Sequence, residues 1–444
     1  MKRVFIPNRG EIALRIVRAC AQLGLESAVG ASAPDRDGLA ARRADRVVVL
    51  GPGPAGDSYL RDDIVVQAAL GTGCDTVHPG YGFLAESTRL AARAREHGLV
   101  FVGPPTETIA LAGDKLAART AARAAGVPVL EGGEVRTADQ ARALAAEIGY
   151  PVLIKAAGGG GGRGIKHVRD GDELTALLGL ARGEAAAAFA DDRLYIERRV
   201  VRARHVEVQI AADDAGAVVA LGERDCSVQR RFQKVIEEAP APALPGAVRE
   251  QLRAAAVSLA TAIGYRNLGT VEFVIDADSG RWSFLEINCR IQVEHPVTEA
   301  VTGRDLVALQ LRLADGAPLG FSQSDIAIAG HAIECRLNAE DVTRGYMPSP
   351  GRLSAFTVPA ATGLRVDTHC HPGAAVPPYY DSLLAKLIAH GEDRGAAIEI
   401  MRSALDGLDV QGVATNRALL RGVLDHPDFR AGFVTTDWLE HAVR

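Results

Sequence analysis

Two glutamates flank a turn in the segment LGTVEFVIDADSGRWSFLEINCRIQVEHP, the stretch of this chain richest in residues able to do chemistry. Turn-forming residues at 277–280 fold it into a hairpin, and a turn centred on Ser279 sets Glu272 opposite Glu286 on one face. Two carboxylates facing each other across an apolar hairpin repel and are costly to bury, so a cation is expected between them. Oxygen-only ligation favours magnesium, which keeps several waters and bridges to substrate phosphates. Asn288 shares the parity of Glu286 and is a third candidate ligand.

Immediately beyond come Arg290, Gln292, Glu294 and His295, in a stretch with too few apolar residues to build a core. A base beside a fixed guanidinium suits an acidic oxygen substrate and a developing anion. Taken alone, the four would serve equally well as a structural ion-pair network. The same two readings apply to ERDCSVQRRFQK (223–234): Lys234 among arginines favours anion binding, or the cluster is a solvated face.

Gly158 to Gly162, followed by Arg163 and Gly164, lacks the closing Gly-Lys-Ser/Thr of a P-loop. With PVLIK before it and GIKHV after it, the run reads as a hairpin tip. Consecutive glycines raise the entropy cost of ordering, which a plain turn does not require but a mobile flap closing its N–H groups over phosphates does. Lys155, at the end of the preceding strand, would face the same phosphates. GPGPAG at 51–56 satisfies the dinucleotide spacing, but its prolines stiffen the loop and no acidic residue ends an obvious next strand. His369 and His371 share a strand face beside Cys370; with no third ligand at an evident spacing, an exposed strand edge is the better reading.

These groups need scaffolding, and 444 residues at 48% hydrophobic and 24% charged supply two to four globular domains. The first hundred residues alternate RVFI, ESAVGAS, RVVVL, DTVH and LVFVG with amphipathic segments, the rhythm of a doubly wound parallel sheet. Residues 106–125 read as one connecting helix ending at Gly126, and DELTALLGLARGEAAAAFA as another helix. The rest is richer in hairpins, with HVEVQI strictly alternating and AVVALG returning after DDAG. A net charge of -5 gives no bulk attraction to nucleic acid or anionic membrane. No apolar run is long enough to span a bilayer, and the start lacks an apolar leader. Six scattered cysteines point to a reducing compartment, so the expectation is a cytoplasmic protein. The 50 basic residues include only six lysines: Lys2, Lys115, Lys155, Lys166, Lys234 and Lys386. A lysine kept in so arginine-rich a chain marks a place where a compact ammonium is needed and a broad guanidinium does not fit.

With these residues in hand, the chain resembles biotin carboxylase, an ATP-grasp enzyme, nearly end to end. The resemblance rests on NRGEIALRI, HPGYGFLAES, KAAGGGGGRG, RHVEVQ, ERDCSVQRR, EEAPAP, EINCRIQVEHPVTE, ECRLNAED, PSPG and PPYYDS. It implies an α/β and α+β chain: a doubly wound pre-ATP-grasp domain (1–112), a mobile glycine-rich lid with its linker helix (113–203), and a C-terminal ATP-grasp and biotin carboxylase domain (204–444). It further implies Lys115, Lys155, Gly160, Gly161 and Gly162 at the phosphates of ATP, with Glu197 and Val200 at the adenine and His205 and Gln229 beside the nucleotide. Glu272 and Glu286, with Asn288, would hold magnesium or manganese. Bicarbonate would be held by Lys234, Arg290 and the backbone of Val293, with Glu294 as its base, and Arg290 with Arg336 would stabilise the biotin enolate.

The three methionines form no Met-Lys-Met attachment site. Biotin is therefore expected on a separate carrier protein and its use on a separate carboxyltransferase, as part of an acyl-CoA carboxylase. The resemblance also implies a homodimer. Another ATP-grasp ligase or a degenerate nucleotide-binding subunit are the competing readings. Three residues depart from the family pattern: Phe232 stands for the histidine of QRRHQK, Arg199 for an aromatic, and Cys289 for a threonine. The first two touch the nucleotide side, and compensation between them is expected.

Overall fold

The computed structural model describes residues 1–158, 165–189 and 191–442. Short continuous apolar runs make strands buried on both faces. β1 (Arg3–Ile6), β2 (Glu26–Ser32), β3 (Arg46–Gly51), β4 (Thr76–Val77) and β5 (Val100–Phe101) form a parallel sheet in the order β3-β2-β1-β4-β5, in which β1, β2 and β4 are buried and the edge strands β3 and β5 are more exposed. Strand order reverses at β1, and such a switch point opens a crevice at the carboxyl ends of the strands. The chain leaving β1 into α1 (Gly10–Gln22) and the chain leaving β4 both enter that crevice, where Glu11 and Tyr81 line the main cavity. The GPGPAG loop has a packing use: a Cβ on Gly53 would collide with the Tyr379 ring, and the Gly53 carbonyl accepts from the Tyr380 hydroxyl at 2.5 Å.

Residues 106–125 are two helices rather than one, α2 (Thr106–Gly113) and α3 (Lys115–Ala124). Alanine-rich sequence carries helix propensity across the junction, but Asp114 is extended there, and its carboxylate accepts from the N–H groups of Leu116 and Ala117 at 3.0 Å. This break places Lys115 at the first position of α3, the end of a helix at which the dipole disfavours a cation. Ala118 and Ala122 of α3 pack into the core beneath the main sheet.

The lid has its own core. Strands β6 (Gly132–Val135), β7 (Val152–Ala156), β8 (Lys166–Val168) and β9 (Leu194–Arg198) form an antiparallel sheet in the order β6-β9-β7-β8. Helices α4 (Ala138–Ile148) and α5 (Gly171–Phe189) pack on it through Ala141, Ala145, Leu174 and Leu178. β7 and β8 pair as the flanks of a hairpin should. The glycine run between them, including Gly160, Gly161 and Gly162, lies outside the described residues.

The remaining frame is an eight-stranded antiparallel sheet of β10 (Ala203–Ala212), β11 (Val218–Arg230), β12 (Gln233–Ala239), β13 (Asn267–Asp276), β14 (Trp282–Asn288), β15 (His331–Asn338), β16 (Leu364–Thr368) and β17 (Leu383–Gly391). Its order is β14-β13-β10-β11-β12-β15-β17-β16. The alternation of HVEVQI would ordinarily put one face in water, yet every residue of β10 is buried. Val206, Val208 and Ile210 pack on the helix Gly246–Ala262, while His205, Glu207 and Gln209 form the floor of a polar site.

The β13–β14 hairpin reaches the expected pairing by an unexpected route. Glu272 does lie opposite Glu286, but nearer the turn the register changes to Phe273 opposite Phe284. A bulge at Leu285 absorbs the difference, so the turn is centred before Ser279. Replacing Asp114 by alanine should remove about 1 kcal/mol of unfolding free energy, the usual worth of an N-cap, and loosen the first turn of α3 that carries Lys115. Urea denaturation checks this, and an unchanged midpoint would mean that the cap contributes nothing.

Candidate active site

A cavity of about 1140 Å³ opens between the N-terminal crevice, the lid and the main sheet. Strand register builds its floor. Arg224, Glu207, Glu272 and Glu286 lie abreast across β11, β10, β13 and β14, so three carboxylates stand in one row. Such a row requires cations. Arg224, fully buried, donates to Glu207 at 2.6 Å, and Lys115 reaches Glu286 at 3.2 Å. Lys234 rises from β12 with its ammonium 2.6 Å from Glu207, 3.1 Å from Glu272 and 2.6 Å from Glu294. His205 Nε2 lies 2.8 Å from Glu272. Potential metal-ligating atoms gather within 4.8 Å at His205, Glu207 and Glu272, and again at Glu207, Cys226 and Glu294. Lys234 reaches into both groups and is the cation there.

These contacts set the protonation states. Burial alone would raise Glu294, but the charges of Lys234 and Arg336 outweigh it and hold the carboxyl well below the usual range. Burial is likewise overruled at Glu272, held low by Lys234 and His205. At Glu207 burial wins over Lys234 and Arg224, and its pKa rises. Glu237 is pushed up to about 7 by burial against the pull of Arg336. Burial would lower Lys234, yet the surrounding Cys226, Glu207 and Glu272 raise it well above the ordinary lysine value.

The Arg290 to His295 stretch divides by role. Arg290 donates to Glu86 at 3.0 Å, to Gln292 at 2.7 Å and to Asn288 at 3.2 Å. The guanidinium that touches Glu294 belongs instead to Arg336 on β15, at 2.9 Å, which also holds Glu237 at 2.5 Å. Gln292 donates to Glu272 at 3.1 Å. His295 turns into the core, where burial and the Lys386 and Arg15 charges keep it neutral. Val293 lines the cavity, and Glu294 ends the stretch as the N-cap residue of α6 (His295–Thr302).

On the lid side, Lys155 on β7 forms an ion pair with Glu197 on β9, and Arg119 donates to the same carboxylate at 2.7 Å. The lysine read as facing phosphates and the glutamate read as facing adenine are thus partners. Gln229 bonds the His205 ring at 2.7 Å, and Val200 lines the wall. Glu272, Glu286 and Asn288 offer hard oxygen donors to this one cavity, a donor set that suits magnesium, with Lys115 and Lys234 now balancing the two carboxylates.

One further expectation changes. The His369 to His371 segment is no exposed strand edge: it follows the last residue of β16, a Cβ on Gly10 would lie 3.5 Å from the His369 ring, burial and the Arg9 charge lower that histidine to about 3, and Cys370 is buried. Cys289, the departure not read as touching the nucleotide side, faces the core, its thiol 3.7 Å from the Thr108 carbonyl. Arg231 and Phe232 form a two-residue hairpin turn with φ of 48° and 66°. The half-exposed Phe232 ring stacks on His167 of the lid at 5.9 Å, and the Arg199 charge acts on that same histidine, placing His167 between the two departures.

Sequence reading missed Glu86, Glu207, Arg224 and Lys386. Glu207 carried a signal, its shared parity with His205, and Lys386 carried one in its rarity. Glu86 and Arg224 carried none short of the fold.

Family models place this organisation among known proteins. Residues 1–109 match the biotin carboxylase N-terminal domain, residues 114–322 the ATP-binding domain of carbamoyl-phosphate synthase L chain, and residues 334–441 the biotin carboxylase C-terminal domain. The chain is 47% identical to biotin carboxylase of Pseudomonas aeruginosa and 46% identical to biotin carboxylase 1 of Bacillus subtilis, each over 99% of this chain and 98% of the relative. It superposes with a TM-score of 0.96 and 43% identity on the biotin carboxylase domain dimer of Hydrogenobacter thermophilus 2-oxoglutarate carboxylase, in complex with MgADP, ADP and bicarbonate, covering 99% of this chain and 97% of that one.

Replacing Lys234 by glutamine would leave three buried carboxylates short of their shared cation, a loss of about 3–5 kcal/mol at pH 8. The wild-type contribution from Glu272 and Glu294, both held low, is present above the unfolded carboxylate pKa and lost only as pH falls through their depressed values. In the variant burial is less opposed, the folded values rise, and stability falls as pH rises through the carboxylate range. Unfolding curves at pH 8 and pH 5 should therefore show a larger gap at pH 8, and a gap independent of pH contradicts the assignment.

Proposed function

The chain belongs to the biotin carboxylase family, and on that premise we propose that it uses ATP and bicarbonate to carboxylate biotin carried by a separate protein. This is the first half-reaction of an acyl-CoA carboxylase of fatty acid biosynthesis, with the carboxyltransferase on another chain. The observation that carries the reading is Glu294 held between Lys234 and Arg336 at the end of a cavity large enough for a nucleotide. A ligase of the carbamoyl-phosphate type shares the central domain but gains nothing from the flanking matches. The working division is 1–112, 113–203 and 204–444. A homodimer in the cytoplasm completes the proposal; it is supported by the dimer of the Hydrogenobacter protein and by six unpaired cysteines, and no described helix is long and apolar enough to cross a membrane.

Lys115, Lys155 and the glycine run Gly160 to Gly162 would bind the phosphates, and Glu197, Val200, His205 and Gln229 would hold the nucleoside end. Magnesium held by Glu272 and Glu286 beside Asn288 would neutralise phosphate oxygens. In the free site Glu294 is a weak base because two cations hold it low. Bicarbonate entering against Lys234, Arg290 and the Val293 backbone takes a share of that positive charge, which raises Glu294 and lets it accept the bicarbonate proton. The resulting carbonate oxygen attacks the γ-phosphorus of ATP and ADP leaves, giving carboxyphosphate. Its C–O bond then breaks to carbon dioxide and phosphate, the phosphate removes the ureido proton of biotin, and the ureido nitrogen bonds to carbon dioxide. Arg290 and Arg336 offset the negative charge on the ureido oxygen.

Phosphate release from ATP should rise when bicarbonate and free biotin are both supplied, and release indifferent to bicarbonate would overturn the reading. Glu294→Gln should lower that rate by about 10²–10⁴ while ATP affinity stays within a few-fold, since a general base does not touch the nucleotide. An equal loss of ATP affinity would reassign Glu294 to the metal.

A further inference from the structure

Lys386 lies midway along β17, fully buried, in register with Arg336 on β15 and Asp367 on β16. Its ammonium donates to the Val293 carbonyl at 2.8 Å and pairs with Glu11 in the first turn of α1 at 3.0 Å. Glu11 in turn accepts from the Tyr81 hydroxyl. Segments from the N-terminal crevice, the turn before α6 and the far end of the main sheet therefore converge on one ammonium. Burying a charge there is costly, and a leucine would continue the strand more cheaply. A compact head with three donors reaches carbonyl and carboxylate together, which a planar guanidinium does not do in the same space.

The carbonyl that Lys386 holds belongs to the same peptide group as the N–H of Glu294. Fixing that carbonyl fixes the plane from which the Glu294 side chain departs toward Lys234 and Arg336. The end of α6 has no side-chain cap bond of its own to do this. We propose that Lys386 is a positioning residue for the base, acting through the 293–294 peptide and itself oriented by Glu11 and Tyr81; this rests on the biotin carboxylase reading. Lys386 stands behind the cavity wall and touches no substrate.

The test is bicarbonate-dependent ATP cleavage by the full-length chain. Lys386→Met should lower kcat by about 10–10²-fold, the effect of misplacing a reacting group by about an ångström, with the KM for ATP within about threefold. In a Glu294→Gln background the same substitution should cost no more than about twofold, because the group being positioned is gone. A kcat near wild type, or an equal loss in both backgrounds, overturns the proposal. Glu11→Gln keeps a hydrogen-bond acceptor and decides the matter where Lys386→Met fails to fold: it should lower kcat severalfold without moving the KM for ATP, and no change in kcat overturns the proposal. Wild-type protein without bicarbonate-dependent turnover would instead bring down the parent reading.

Discussion

The Lys234 ammonium lies within 3.1 Å of carboxylates from β10, β13 and the start of α6, all three of them buried. Glu207, Glu272 and Glu286 stand abreast because antiparallel pairing makes opposite residues share a face. The sheet therefore generates a concentration of negative charge, and its cations are fixed by that need. Arg224 closes one end of the row and Lys115 the other, while Lys234 bridges from the row to Glu294. A neutral floor would be easier to bury but would offer nothing to an anionic substrate. Here the cations that balance the row are the ones a bicarbonate or a phosphate would share.

Several local choices make sense only in that light. Lys115 begins a helix at the end the dipole disfavours, and a two-residue turn forces positive φ on Arg231 and Phe232 without a glycine. Lys386 is buried in the middle of a strand. Conflicts between local preference and global fold gather at functional sites. All three of these lie in or directly behind the cavity.

Much of this was legible beforehand because it depends on periodicity. Short apolar runs announced the parallel sheet, and a turn between two glutamates announced their facing. The bulge at Leu285 was not legible, since a slipped turn and a compensating extra residue cancel in the pairing they produce. The break at Asp114 was masked by alanines on both sides. Partners set by tertiary approach were the least visible: nothing near Arg290 names Glu86, and nothing near Glu294 shows that its guanidinium comes from Arg336 rather than Arg290. The floor was readable from strand register, and the walls, contributed by remote segments, were not.

The proposed mechanism depends on Glu294 being a base held in reserve, depressed until an anion shares its cations. Difference infrared spectroscopy on protein with ¹³C-labelled glutamate carboxyls, with Glu294→Gln protein subtracted to assign the band, reads its protonation directly. Glu294 should stay ionised well below the ordinary glutamate range without bicarbonate, and should show a protonated carboxyl band near neutral pH once bicarbonate and a non-cleavable ATP analogue are added. A carboxyl that titrates at the ordinary glutamate value, indifferent to bicarbonate, would contradict the mechanism.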